Sequence, residues 1–216
     1  GWSTQTATRH DMDSYACYVS DLTTHWGLKN ALHIGHSTGG GEALRFAAKY
    51  GSNGRVDKVV LISAITPYMI KDENNPDGVP KQVFDDIRFN TAHNRQQFYQ
   101  DLAIPFYGYN REGANIKKGI QDNWWRQGMM GGIKAHYDCI EVFSETNFTE
   151  DLKSIQLPVL VLHGDDDQIV PYATTAVKAA ELLKNSKLII YPGFPHGMPT
   201  TEAEIINNDI LDFIKS

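Results

Sequence analysis

The sequence predicts an α/β fold: a mainly parallel sheet with flanking helices and an inserted helical region. Three observations carry that expectation. Residues 57–63, 158–163 and 187–191 are short apolar runs with no polar alternation, as in strands covered on both faces. Segments between them repeat apolar residues every three or four positions, the spacing of a helix with one buried face. Residues 30–34 form a further apolar run that stops at Gly35 and passes directly into a helical pattern, giving strand, turn and helix in immediate succession.

Each element follows in order. Residues 11–26 read as an amphipathic helix with Met12, Tyr15, Val19, Leu22 and Trp26 on one face, ended by Gly27. After the 30–34 strand, the second helix runs through Glu42, Leu44 and Phe46 to Tyr50 and Gly51. Between Ala64 and Leu157 no comparable strand run occurs, and Pro67, Pro76, Pro80 and Pro105 break the segment into loops and short helices. The expected organisation is therefore a core of residues 1–66 and 151–216 with a helical cap inserted at 67–150. The cap is rich in aromatic residues: Phe84, Phe98, Tyr99, Phe106, Tyr107, Tyr109, Trp124, Trp125, Tyr137 and Phe143. Packing is expected to claim about two in three of them, and the rest to line an apolar pocket for acyl or aryl groups. Residues 172–183 and 202–214 read as helices returning to cover the sheet.

Composition narrows the function. The 216 residues fit one domain with an inserted subdomain, and 41% hydrophobic with 21% charged residues is the balance of a folded chain, not a disordered one. The apolar runs are too short to span a bilayer. A net charge of -6 provides no basic footprint, so nucleic acid and anionic membranes are excluded as expected partners and a small molecule is favoured. Cys17 and Cys139 lack metal or redox spacing and are expected to be small core hydrophobes. No leader pattern is visible and the cytoplasm is the expected compartment, although the chain starts at Gly1 and not at methionine.

Gly35-His36-Ser37-Thr38-Gly39 matches G-x-S-x-G between the predicted strand and helix, where a sharp turn exposes a serine hydroxyl. The backbone N–H of Thr38 then faces an oxyanion at the positive end of the helix. A serine hydroxyl needs a base, and the base needs an orienting acid. His196 lies in Gly193-Phe194-Pro195-His196-Gly197 after the 187–191 strand, and Asp165, Asp166 and Asp167 follow the 158–163 strand. Taken singly, a histidine between proline and glycine reads as a turn residue and an aspartate run as a helix cap. Serine, acid and histidine at three successive strand ends outweigh those readings. The remaining histidines attract no role: His33 and His163 fall inside strands, His36 occupies the variable position of the turn, and His10, His25, His93 and His136 have no metal-ligand spacing. Gly39-Gly40-Gly41 continues a helix and does not form a phosphate loop. No metal or cofactor is expected.

On these residues the chain resembles the cofactor-free bacterial haloperoxidases, also described as arylesterases or perhydrolases, of the α/β-hydrolase superfamily. The likeness rests on Gly35-His36-Ser37-Thr38-Gly39-Gly40-Gly41-Glu42, Leu61-Ile62-Ser63-Ala64, residues 143–152, and His163-Gly164-Asp165-Asp166-Asp167-Gln168-Ile169-Val170-Pro171. It implies that the acid is Asp167, the aspartate before Gln-Ile-Val-Pro, with Ser37 as nucleophile and His196 as base. It implies hydrolysis of small carboxylic esters through an acyl-serine, with hydrogen peroxide able to replace water and release a peracid that oxidises halide without haem or vanadium. It further implies that roughly sixty residues precede this chain, an expectation from strands and loops that the pattern places before the turn. The second oxyanion donor and part of the pocket would lie there, and the edge beside the turn strand would be exposed. A lactonase, a carbon–carbon bond hydrolase, a non-catalytic binding protein and an inactive fragment are the alternatives, and a homo-oligomer stays open.

Overall fold

The computed structural model describes residues 4–52 and 54–216. Four parallel strands, β1 (Ala31–His36), β2 (Val56–Ile62), β3 (Val159–Gly164) and β4 (Ser186–Tyr191), form one sheet in the order β1-β2-β3-β4. The register sets Gly35 against Leu61, Leu61 against Val161 and Val161 against Leu188, so the carboxyl ends of the strands line up. The unalternating apolar runs are explained by two cores. Val59, Leu61, Val159 and Val161 pack on one face with Leu44, Phe46 and Phe148, while Val60, Ile62, Leu160 and Leu162 pack on the other with Met198 and Ile206.

One edge of the sheet is uncovered. Among the described residues β1 pairs only with β2, and Ile34 is 50% exposed, as the reading of an open edge beside the turn strand expects.

Helix α1 (Met12–His25) is capped by Asp11, whose carboxylate accepts the Ser14 N–H at 2.7 Å. Its buried face matches the expected one at Met12, with Tyr15 and Val19 packed against the core, but departs from it toward the C-terminus. Met12, Ala16, Ser20 and Thr23 are buried, whereas Leu22 and Trp26 are 58% and 69% exposed. The polar positions are satisfied by Arg55, which donates to Ser20 O, Ser20 Oγ and Thr23 Oγ1 at 2.9–3.1 Å, so the face turns toward that guanidinium. Cys17 and Cys139 are half-buried, not core residues as expected, and Cys139 lines an apolar cavity.

Helix α2 (Thr38–Tyr50) follows β1 without a loop. Between β2 and β3 lie α3 (Lys81–Phe106), α4 (Lys118–Met130), α5 (Ile133–Glu145) and α6 (Thr149–Ser154). The segment α3 is two shorter helices that meet at a kink, as short helices were expected, but the break is not at a proline: Pro105 lies in the last turn. There, only Phe106 follows the missing donor, so Pro105 does not break the element; the interruption is at Asn94 (φ −153, ψ 68). The returning helices are α7 (Ala176–Leu182), α8 (Met198–Thr201) and α9 (Ala203–Lys215), with α7 starting later than expected because 172–175 form turns. No helix among the described residues is long and apolar enough to cross a membrane.

Close packing joins β1 to α2. A Cβ at Gly35 would fall well inside van der Waals contact with Gly39 O, and one at Gly40 would lie 2.5 Å from Ala64 Cβ. Gly39 itself has open space, so the helix glycine that the approach requires is Gly40. Gly35→Ala is expected to lower urea-unfolding stability by about 2 kcal/mol or more, because the clash is with backbone and nothing can rotate away. A loss below about 0.5 kcal/mol, the ordinary surface range, would show that the approach is not tight.

Candidate active site

Ser37 is the junction of β1 and α2 and has φ 56 and ψ −124, a positive φ that costs a residue with a side chain on the order of 1–3 kcal/mol. Two backbone bonds hold it there: its N–H donates to Ile62 O at 2.9 Å and its carbonyl accepts the Gly40 N–H at 2.9 Å. The close approach at Gly35 and Gly40 leaves the chain no gentler path between strand and helix. Ser37 and Thr38 line a cavity of about 460 Å³, and His196 lines the same cavity.

The three aspartates after β3 separate cleanly. Asp165 accepts the Gly193 N–H at 2.6 Å and Asp166 pairs with Arg111, whose Nε lies 2.7 Å away. Asp167 turns inward: its Oδ1 accepts the N–H groups of Ile169 and Val170 at 2.9 and 2.8 Å, and its Oδ2 accepts His196 Nδ1–H at 2.7 Å. Both side chains are fully buried. Burial alone would raise the Asp167 pKa, but hydrogen bonds from His163 and His196 overcome it and hold the carboxyl well below its usual range. With the hydrogen on Nδ1, His196 Nε2 is a bare lone pair; it is buried and has no hydrogen-bond partner among the described residues. The structure therefore joins Asp167 to His196 directly and places Ser37 on the same cavity, without a Ser37–His196 hydrogen bond.

Two histidines that the sequence gave no reason to select belong to this site. His36 Nε2–H donates to the backbone carbonyl of His196 at 3.0 Å, and the two rings lie 4.8 Å apart. Burial and the neighbouring His196 lower its pKa from 6.5 to about 4. His163 Nε2 lies 3.1 Å from Asp167 Oδ2 and donates to Val170 O at 2.9 Å. The available signal was position: one residue precedes the serine, and the other sits four before the aspartate. Neither spacing carries meaning until strand register is known.

The cavity is apolar. Phe84, Phe98, Tyr99, Phe106, Trp124 and Phe143 line it, six of the ten cap aromatics, and Phe84 and Phe143 at the same time pack in the core. They reach it because α3, α4 and α5 present one face each above the strand ends. His136, passed over in the sequence, is a polar group in this wall; its Nδ1 accepts from Tyr99 Oη at 2.9 Å and Arg95 Nη1 at 3.2 Å. A larger, more open cleft of about 680 Å³ lies between residues 7–11 and α5 and contains none of the three residues.

Residues 1–202 match the family model described as the alpha/beta hydrolase fold. The chain is 58% identical to the bifunctional esterase/perhydrolase of Acinetobacter calcoaceticus and 56% identical to a non-heme chloroperoxidase of Streptomyces lividans, in each case over all of this chain and 78% of the relative. Among solved structures, the bromoperoxidase from Bacillus anthracis superposes with a TM-score of 0.96 at 29% identity, again over all of this chain and 78% of the other. With that match in sequence and in backbone, the chain belongs to the α/β-hydrolase family.

Proposed function

We propose that the protein hydrolyses small carboxylic esters through an acyl-serine on Ser37, and that hydrogen peroxide replaces water in the second half-reaction to give a peracid. The observation that carries this reading is His196 Nε2, bare, buried and fixed from behind by Asp167 on the cavity that Ser37 lines. The esterase/perhydrolase and chloroperoxidase relatives support it.

The steps follow from those atoms. Ser37 Oγ attacks the ester carbonyl as His196 Nε2 takes its proton, and the buried Asp167 carboxylate stabilises the imidazolium that forms. The Thr38 N–H, first in α2, donates to the oxyanion. Collapse expels the alcohol, which takes the proton back from His196. Water or hydrogen peroxide then gives its proton to Nε2 and attacks the acyl carbon, releasing an acid or a peracid and restoring Ser37. Peracid oxidises halide in solution, so the protein supplies only acyl transfer. Residues 67–150 act as a cap over a core of 1–66 and 151–216, and its aromatic wall selects acyl or aryl groups over polar substrates.

A fluorophosphonate probe is expected to label Ser37, and Ser37→Ala is expected to abolish labelling and cut p-nitrophenyl acetate hydrolysis by about a thousandfold or more. An unlabelled, folded chain would instead point to ligand binding without catalysis. Activity retained by Ser37→Ala would remove the serine from the mechanism.

His36 gives a pH prediction. Its folded pKa lies near 4 against an ordinary 6.5, so the unfolded chain binds more protons between those values. The stability contributed by its neutral form is complete above pH 6.5 and is lost as pH falls toward 4. His33 and His136, also lowered by burial, add to the same slope. His36→Gln keeps a donor for His196 O but cannot titrate. Urea-unfolding midpoints at neutral and acidic pH should fall less steeply in that variant than in the wild type, and equal slopes would contradict the assignment.

A further inference from the structure

We propose that His163 is a positioning residue which shares the Asp167 carboxylate with His196, so that the acid is held between a histidine that reacts and one that does not. This deepens the reading of His196 as the base and rests on it.

Asp167 is surrounded by donors: three hydrogen bonds reach it and His163 Nε2 stands 3.1 Å from Oδ2. A carboxylate offers about four acceptor sites. Two are taken on Oδ1 by the Ile169 and Val170 N–H groups at 2.9 and 2.8 Å, and two on Oδ2 by His196 Nδ1 at 2.7 Å and His163 Nε2 at 3.1 Å. The carboxylate therefore cannot rotate without breaking bonds: the loop N–H groups hold Oδ1, and Oδ2, which receives His196, is shared with His163, fully buried near the end of β3.

The hydrogen on His163 can be located. Both neighbours of Nε2, Asp167 Oδ2 and Val170 O, are acceptors, so Nε2 carries the hydrogen and splits it between them. Nδ1 is buried with no partner among the described residues, so a second hydrogen there would be buried unpaired. His163 thus holds one hydrogen in place while His196 exchanges its own. Through Val170 O it also pins the far end of the 164–170 loop to the strand that begins it.

Removal of this donor concentrates carboxylate charge on His196 and makes Asp167 itself easier to protonate. Both effects move in one direction, since each makes the triad take up protons at higher pH. The groups facing Asp167 are His163 from β3 and His196 from the loop after β4. Those facing His196 are Asp167, His36 from β1 and, on its ring edge, uncharged Phe106 from α3.

The test uses the whole chain labelled with [15N]histidine, as wild type and as His163→Gln, His163→Asn and His163→Leu. Gln places an amide N–H where Nε2 was, and Asn places it where Nδ1 was. The wild type should show His163 as the Nε2–H tautomer and a far-downfield proton for His196 Nδ1–H. In the Asn and Leu variants that proton should shift, and the acid limb of kcat/KM for p-nitrophenyl acetate should move up by about half a unit or more. The Gln variant should restore both. If Leu does not fold, the Asn and Gln pair carries the comparison. The proposal is overturned if His163 bears its hydrogen on Nδ1, or if Asn and Gln give the same proton shift and the same acid limb. The resonance readouts do not depend on turnover, so a failed fluorophosphonate experiment would remove the esterase reading and leave this result separately readable.

Discussion

A carboxylate buried beside two imidazoles is the interaction on which the site depends. Burial works against the Asp167 charge and the donors converging on it work for it, and that charge fixes the hydrogen on His196 Nδ1 and leaves Nε2 bare. The loop that supplies those donors is itself set by the sheet: His163 and Gly164 end β3 beside Ile190 and Tyr191 of β4, so the turn carrying Asp167 and the turn carrying His196 start side by side. Gly193 and Asp165 bond across the two turns and hold that spacing.

Strain at Ser37 is the complementary feature. A residue with positive φ is unstable in isolation and persists where its neighbours leave no alternative. Here β2 accepts the Ser37 N–H, and Gly35 lets Gly39 approach where any side chain would collide. The same elements that bury the sheet therefore set Ser37 on the cavity wall at the N-terminus of α2. Above them the apolar walls of α3, α4 and α5 turn toward the cavity, where Phe84 and Phe143 serve both the core and the cavity wall.

Much of this was legible in the sequence, for physical reasons that differ between elements. The parallel strands were readable because burial on both faces removes alternation, and the turn at Ser37 because few residues other than glycine satisfy so close an approach. The α1 face was misplaced toward its C-terminus because Arg55, distant in sequence, satisfies Ser20 and Thr23 and makes polar positions the buried ones. The break in α3 was misplaced because a proline near a helix end disrupts little, while the residue that does interrupt the segment, Asn94, carries no such signal. His36 and His163 were invisible for another reason. Their contacts depend on which strand ends lie side by side, and single-residue patterns do not encode that. The choice of Asp167 among three aspartates came from resemblance, and its geometry now has a separate basis in the two N–H groups that turn it inward.

The central claim is that Ser37 and His196 act as a unit and not as two independent contributors. Steady-state hydrolysis of p-nitrophenyl acetate by Ser37→Ala, His196→Ala and the double variant tests it most directly. The account predicts that the double variant is no slower than either single one, because removing one member already removes the function of the other. Losses that multiply, with the double variant slower by the product of the two single effects, would contradict it.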